Sequence, residues 1–347
     1  YAEWLPPDAV LHGMDAMDDH NAQPVGWQML SADAQDGYDA TFFARSGWTG
    51  SQSISPITWA GDQRTSFDID DGLPTVVPLA LGLAVGGVAF FGHDIAGYQS
   101  TGNPPSDREL WYRWAALGAF SPIMRTHHGR YSDDNWQFDT DAETLAHYAR
   151  YGGEHVRLFP YLRGLAEQAR TTGRPLLLPP ALVYVGDDWG RTDAWLLGQG
   201  MLVAPVMEAG VSGRDVQLPD EVDWYDWWTG APAESGWVDA DIDEIPVFVA
   251  AGHIVPVLTD TPDTLAPASD RRVFGLDRAD SARTVRVFGA GGAFTEADGT
   301  RYEATGSANG SDQTTVTLGS GSVELAGVTV TIAGAVERAY TIEVWGD

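Results

Sequence analysis

The side chains best suited to chemistry each come directly after a short apolar run: Arg45, Asp62, Asp94 and the Arg125–His127 stretch. Asp62 stands in Trp-Ala-Gly-Asp-Gln, three residues after Trp59. A carboxyl group beside an apolar wall can have a raised pKa and act as a general acid or base. The alternative for Asp62 and Asp94 is structural, because aspartate beside glycine commonly caps a turn.

Metal binding is not expected. Arg125 could orient a carboxylate and His127 could donate to a ligand, but no third ligand follows the two adjacent histidines at helical spacing. A second group could imitate a metal site and consists of Asp15, Asp18, Asp19 and His20. In so acidic a chain, a solvated acidic loop is the favoured interpretation of this group. We therefore predict no metal site in these segments.

The apolar runs predict strands that alternate with helices. Strands are expected at 40–44, 57–59, 88–91 and 121–124, with helices over 73–83 and 109–117. Buried strands alternating with helices are typical of a parallel sheet. Functional side chains at successive strand ends are typical of a (β/α)8 barrel. With only four such units, residues 1–173 are predicted to form half of a TIM barrel.

The character of the chain changes after a long helical stretch predicted over 142–173. Short strands are expected beyond it, at 183–185, 201–204, 247–249 and 254–255. From about residue 263 apolar and polar residues alternate strictly, which indicates half-buried antiparallel strands. The predicted fold class is therefore α/β plus β. Two antiparallel β-sandwich-like domains, 174–262 and 263–347, would follow the half barrel.

The charge composition excludes several functions. The 347 residues include 49 Asp and Glu against 20 basic residues, a net charge of −29, with no lysine and no cysteine. Nucleic-acid and anionic-membrane partners need a basic surface, so both are excluded, as are disulfides and cysteine-based zinc sites. Excess aspartate without lysine favours a halophilic protein of a salt-rich cytoplasm, where counter-ions screen repulsion. The alternative is an acidic protein from a GC-rich genome.

Several motifs in chain order resemble glycoside hydrolase family 31, the α-glucosidase and α-xylosidase family. The resemblance covers roughly residues 1–258, and its main motifs are Arg45-Ser46-Gly47, Trp59-Ala60-Gly61-Asp62-Gln63, Gly92-His93-Asp94-Ile95-Ala96-Gly97-Tyr98 and Gly118 to His127. The family implies a retaining α-glycosidase that acts on a small sugar glycoside. Its mechanism needs two carboxylates about 5–5.5 Å apart and neither a metal nor an organic cofactor. The matching motifs correspond to the second half of the family's barrel, so residues 1–173 are expected to be that half.

The resemblance implies a role for each matching residue. Asp62 corresponds to the acid/base. The family's nucleophilic aspartate precedes a motif matched here by Tyr1-Ala2-Glu3-Trp4-Leu5-Pro6, so it is expected immediately before Tyr1, in an N-terminal part of the same protein. Glu3 corresponds to a supporting position. Sugar binding in the −1 subsite is implied for Arg45, Trp59 and His127, and charged support of the nucleophile for Asp94 and Arg125.

Departures from common α-glucosidases favour the sulfoquinovosidase branch, which releases 6-deoxy-6-sulfoglucose from sulfolipid-derived α-glycosides. Gln63 stands where asparagine is usual, and Tyr98 stands where phenylalanine is usual. In that branch the tyrosine helps recognise the sulfonate, whose three acceptor oxygens need donors. Gln63 and Tyr98 are accordingly predicted to bind substrate. The alternative for Tyr98 is a phenylalanine variant with a hydrated hydroxyl.

Other functions stay open from the sequence. A neutral-sugar α-glucosidase or α-xylosidase is the main alternative, followed by a non-catalytic carbohydrate-binding fragment and, remotely, a glycoside lyase. A homo-oligomer is also open. The uncharged run 73–92 contains prolines and glycines, so it predicts a buried helix and strand rather than a membrane span. A cytoplasmic location is expected.

Overall fold

The computed structural model describes residues 6, 8–11, 14–55, 57–127 and 129–346. The helices are α1 (Ala16–Asp19), α2 (Gln23–Gln35), α3 (Val76–Val85), α4 (Arg108–Ala119), α5 (Ala142–Arg157), α6 (Phe159–Thr172) and α7 (Leu276–Ala279). Short 3-10 turns lie at Ser51–Ser53, Leu73–Thr75 and Pro180–Leu182. The strands are β1 (Val10–Leu11), β2 (Met14–Asp15), β3 (Ile57–Trp59), β4 (Phe90–Ile95), β5 (Ile123–Thr126), β6 (Leu177–Leu178), β7 (Trp195–Leu197), β8 (Met201–Val203), β9 (Gly213–Val216), β10 (Trp224–Asp226), β11 (Pro232–Ala233), β12 (Gly236–Asp239), β13 (Val247–Ala250), β14 (His253–Leu258), β15 (Ala282–Phe288), β16 (Ala290–Thr295), β17 (Arg301–Ser307), β18 (Asp312–Leu325) and β19 (Val328–Trp345).

The first half contains a three-stranded parallel sheet in the order β3-β4-β5. The strand predicted at 40–44 is wrong in extent, because only Ala44 bridges to Thr58. The Ala44 N–H donates to Ile57 and its carbonyl accepts from Trp59, whereas the residues before it make no ladder among the described residues. The run is not buried, since Phe43 is 50% exposed, and a strand also needs a hydrogen-bonding partner along its length.

The uncharged run 73–92 forms a helix followed by a strand, as predicted. The run begins with the Leu73–Thr75 turn, continues as α3 and ends in β4. In the described part of the chain, no helix is long and apolar enough to cross a membrane. The stretch predicted as one helix over 142–173 divides at Leu158 into α5 and α6. Pro160 causes this, because its ring would clash with the carbonyl one turn earlier.

Two further sheets follow α6. One is antiparallel, six-stranded and ordered β11-β10-β13-β8-β7-β6, with β9 and β12 as a separate pair. The strand predicted at 183–185 is absent, since a 3-10 turn and its exit occupy that place. The other sheet runs β14-β15-β19-β17-β16, with β18 also paired to β19.

The last sheet corrects the expectation of purely antiparallel strands. β15 and β19 pair in parallel from Ala282↔Ala339 to Phe288↔Trp345. Alternation indicates which face of a strand is buried but carries no information about strand direction. β14 lies before residue 263 yet pairs with β15 along its whole length. The sandwich packing and the domain limits at 173 and 262 stay predictions.

A buried junction ties α5 to both C-terminal sheets. The Trp227 indole donates to Glu154 Oε1 of α5 at 2.9 Å. The Arg286 guanidinium lies 4.2 Å from the Trp227 ring centroid and donates to the Trp227 carbonyl at 2.9 Å. Arg286 is also paired with Glu343 of β19 at 2.9 Å. Because every charge here has a partner, the junction can hold the barrel elements rigidly against the later sheets.

Candidate active site

The site forms at the carboxyl ends of β3, β4 and β5. Asp94 of β4 lies directly opposite Arg125 of β5 in the parallel register. Residues opposite each other project to the same face of a sheet, and the Arg125 Nη2 lies 3.1 Å from Asp94 Oδ1. The Asp94 side chain is fully buried. The sheet therefore fixes an ion pair beneath the strand ends.

The Asp94 carboxyl group has a raised pKa. Burial is the largest cause, because removal from water disfavours the charged form. Arg125, His127 and Trp59 each lower the pKa, in that order of size, and the nearby Asp62 raises it slightly. The charges of several loops thus act on one buried carboxyl group.

A cavity of about 470 Å³ opens above this pair. It is lined by Phe43, Arg45, Trp59, Asp62, Tyr98, Arg125 and His127. Six of these were singled out from the sequence, although they come from four separate segments. Phe43 was missed as a site residue. Its ring lies edge-on to Trp59, with ring centroids 6.0 Å apart, and 4.9 Å from the Arg125 guanidinium. Its position two residues before Arg45 is the sequence feature that could have indicated a place in the site.

Asp62 lies in a sharp turn just beyond β3. Gly61 has φ of 100°, a left-handed conformation that suits glycine. The Asp62 Oδ2 lies 3.8 Å from Arg45 Nη1, and both side chains are about one-third exposed, at 34% and 32%. The Arg45 guanidinium also lies 5.9 Å from the Trp59 ring. Asp62 is thus an accessible carboxyl group beside a cation and an aromatic wall.

Tyr98 and His127 form the opposite side of the cavity. Their rings meet edge to face with centroids 4.7 Å apart. The Tyr98 N–H donates to the Gln63 carbonyl at 2.9 Å, which ties the tyrosine to the Asp62 segment. The position of the ring is therefore set jointly by the loops after β3, β4 and β5.

Gln63 does not line this cavity. Its side chain is buried, and the side-chain amide donates to the Ala60 backbone carbonyl at 2.9 Å. Its backbone carbonyl accepts hydrogen bonds from the N–H groups of Tyr98 and Gln99. Gln63 therefore supports the site through hydrogen bonds to the backbone of the segments that carry Asp62 and Tyr98. Glu3 lies outside the described residues.

His93 is buried on β4 beside Asp94 and is held neutral. Burial lowers its pKa to about 3. The Trp114 indole donates to His93 Nδ1 at 3.0 Å, which places the imidazole proton on Nε2. No group of three acidic or histidine side chains suited to a metal occurs among the described residues. Asp19 and His20 belong to the end of α1 and the turn after it.

The turn that carries Tyr98 is strained. The Gly97 N–H donates to the Asp94 backbone carbonyl at 3.0 Å, and Ala96 at the third turn position has φ of 67°. This geometry is that of a type II turn, which prefers glycine there. We expect Ala96→Gly to leave the free energy of unfolding nearly unchanged, because relief of about 1 kcal/mol of left-handed strain is offset by loss of a buried methyl group worth about 0.8 kcal/mol. Urea unfolding measures this change.

Gly97→Ala provides the opposite control. A Cβ at this position would lie 2.6 Å from the Arg64 carbonyl oxygen, so this variant should be destabilised. If Ala96→Gly lowered the free energy of unfolding by about 1.5 kcal/mol or more, as loss of a buried methyl group plus the entropy of glycine would do without strain relief, the turn would not be strained.

The Asp94–Arg125 pair predicts pH-dependent stability. Arg125→Gln should lower the free energy of unfolding by about 3 kcal/mol at neutral pH, because it leaves a buried carboxylate unpaired. The folded-state pKa of Asp94 is already above its unfolded value, so its favourable contribution is complete below the unfolded pKa and is lost as pH rises through the folded pKa. Removing Arg125 raises that pKa further. The destabilisation should therefore be small near pH 4 and grow towards pH 7.

Urea unfolding at several pH values tests this expectation. Arg64→Gln is the matched control, since Arg64 pairs with Asp68 at 2.7 Å with its side chain 40% exposed. Such exposed pairs contribute less than about 1 kcal/mol. Equal losses for the two variants at every pH would contradict the role given to burial.

Comparison with known proteins finds a family match over most of the chain. The model of the glycosyl hydrolases family 31 TIM-barrel domain matches residues 6–165, and the model of the family's C-terminal domain matches residues 173–255. The sulfoquinovosidases of Escherichia coli and Agrobacterium fabrum are 41% and 38% identical to this chain, each over 72% of its length. A solved sulfoquinovosidase from E. rectale, in complex with an aza-sugar inhibitor, superposes with a TM-score of 0.68 at 34% identity over 72% of this chain. The chain spans only 38–39% of the length of these relatives.

Proposed function

The chain belongs to glycoside hydrolase family 31, and on that premise we propose that it forms part of a retaining α-glycosidase that releases sulfoquinovose from α-sulfoquinovosides. The observation that carries the proposal is the single cavity in which Arg45, Asp62 and Tyr98 meet. The similarity to sulfoquinovosidases supports the same substrate.

In the proposed reaction, Asp62 first acts as a general acid. A carboxylate nucleophile, supplied by the segment expected before Tyr1, attacks the anomeric carbon while Asp62 gives its proton to the leaving glycosidic oxygen. In the second step Asp62 removes a proton from water, and the water oxygen attacks the same carbon and displaces the nucleophile. Two inversions retain the α configuration. The accessible position of Asp62 suits an exchange of protons with both leaving group and water.

The rest of the cavity would orient the sugar. The planar ring of Trp59 offers an apolar wall, and Arg45 and His127 supply hydrogen-bond donors to hydroxyl groups. Arg125 and Asp94 would set the charge beneath the anomeric carbon. All cationic roles fall to arginine, because the chain has no lysine.

Recognition of the sulfonate rests on Tyr98 in this part of the protein. Its hydroxyl can donate to a sulfonate oxygen, directly or through water, whereas phenylalanine could not. Two arginines in the cavity make it less negative than the −29 charge of the whole chain would imply. High salt would further screen the approach of an anionic substrate.

A neutral-sugar α-glucosidase is the second candidate. Arg45, Trp59, Asp62 and His127 would serve any α-glucoside, so only Tyr98 among the residues lining the cavity favours the sulfonated sugar. Hydrolysis of an aryl α-sulfoquinovoside and an aryl α-glucoside by the protein that carries this chain separates the two. A higher kcat/KM on the sulfoquinovoside is expected. Equal or better hydrolysis of the glucoside would reject the sulfonate specificity, and hydrolysis of neither would favour a non-catalytic carbohydrate-binding role.

A further inference from the structure

A two-stranded ribbon outside the active site presents an exposed tryptophan. In the antiparallel pair β9–β12, Trp237 lies opposite Asp215, and Asp239 lies opposite Gly213. Opposite residues of a ribbon, and residues two apart along one strand, project to the same face. One face of this ribbon therefore carries an indole ring with an aspartate on either side.

The Trp237 ring is held in a defined orientation although 57% of the residue is exposed. Its indole N–H donates to Asp239 Oδ1 at 2.8 Å. The ring also lies against Gly213, where an added Cβ would be 3.0 Å from Trp237 Cζ2. A large aromatic surface that is both exposed and oriented is available for binding with little further loss of side-chain entropy.

Trp237 is one wall of a groove of about 520 Å³. The groove is also lined by Phe67 and Ile69, which belong to the segment between Asp62 and α3, and Ile69 is 75% exposed. The groove thus lies between the loop that follows the acid/base candidate and the β9–β12 ribbon. An exposed apolar surface in such a concave place is typical of a binding site.

The charges around the groove select against anions. Three acidic residues line it: Asp193, Glu208 and Asp215. Arg214 is the basic residue among the lining side chains, and it is engaged by the Asp193 carboxylate and donates to the carbonyls of Asp193 and Pro205 at 2.7 Å. Carboxylates accept hydrogen bonds, so the groove favours a ligand rich in hydroxyl donors.

We propose that this groove is a second carbohydrate-binding site that takes the ring of a neutral, polyhydroxylated sugar. The apolar face of a pyranose would stack on Trp237, and its hydroxyl groups would donate to Asp215 and neighbouring carboxylates. A sulfonated or phosphorylated ring would be repelled. The site is separate from the catalytic cavity and does not depend on which glycoside is hydrolysed.

Calorimetric titration of the whole protein with maltotriose tests this site. Trp237→Ala should weaken binding at this site about tenfold or more, as expected for removal of an anchoring aromatic side chain. Trp237→Phe should retain most of the affinity, since it keeps a ring. Trp189→Ala is the matched control, because Trp189 is 63% exposed and lies outside the groove. Hydrolysis of a small aryl glycoside should be unchanged by Trp237→Ala, which separates this site from the catalytic proposal.

Two outcomes would overturn the proposal. One is maltotriose binding that is the same in Trp237→Ala and Trp189→Ala. The other is a loss of self-association in Trp237→Ala, seen by sedimentation, with saccharide binding unchanged, because the groove would then be a contact between two copies of the protein.

Discussion

Asp62→Asn is expected to lower kcat/KM on glycosides with poor leaving groups about a thousandfold, within the range contributed by general acid–base catalysis. Asparagine keeps the size of the side chain but cannot protonate the glycosidic oxygen. The Asp62 side chain is one-third exposed and 3.8 Å from Arg45, so the substitution should leave the fold intact. Steady-state hydrolysis of an alkyl α-glycoside measures the effect.

The dependence on leaving group distinguishes loss of the acid from general damage. An aryl glycoside with a very acidic phenol needs little protonation, so its first step should be affected much less. Added azide should restore part of the turnover, because it attacks the intermediate without a general base. Asp68→Asn is the matched control, since Asp68 pairs with Arg64 in the same loop and does not line the cavity. Undiminished hydrolysis of the alkyl glycoside by Asp62→Asn would remove Asp62 from the acid/base role.

Tyr98→Phe is expected to lower the preference for a sulfonated over a neutral substrate by about tenfold or more. A hydrogen bond to a charged group contributes about 1.5–3 kcal/mol, whereas the uncharged 6-hydroxyl of the glucoside can offer a bond of only about 0.5–1.5 kcal/mol. The edge-to-face contact with His127 at 4.7 Å needs only the ring, so it should survive the substitution. The ratio of kcat/KM values on aryl α-sulfoquinovoside and aryl α-glucoside measures the change.

Tyr131→Phe controls for loss of a tyrosine hydroxyl elsewhere, because Tyr131 is 48% exposed and does not line the cavity. It should leave the ratio unchanged. A proportional fall on both substrates in Tyr98→Phe would mean that Tyr98 shapes the cavity without reading the sulfonate.

The family and most of the residues that line the cavity can be predicted from the sequence alone. Ordered motifs around Arg45, Asp62, Tyr98 and His127 predicted one barrel face, and the structure places these side chains in one cavity. Such a prediction works because parallel strands end at the same edge of a sheet, so residues that follow successive strands converge. The buried helix and strand of the uncharged run followed from the same local pattern.

Strand direction and the orientation of individual side chains depend on contacts that the sequence does not reveal. Alternation in β15 and β19 is identical for parallel and antiparallel pairing, and the parallel pairing depends on the path of the chain between them. The motif around Asp62 predicts that Gln63 binds substrate, but the Gln63 side chain is buried, donates to the Ala60 carbonyl and does not line the cavity. Trp237 and Ile69 are far apart in sequence and carry no shared motif, yet they line one groove. The local sequence indicates the hydrophobic periodicity of a helix or strand. The direction in which strands pair and the convergence of distant side chains at one site depend on contacts between distant segments.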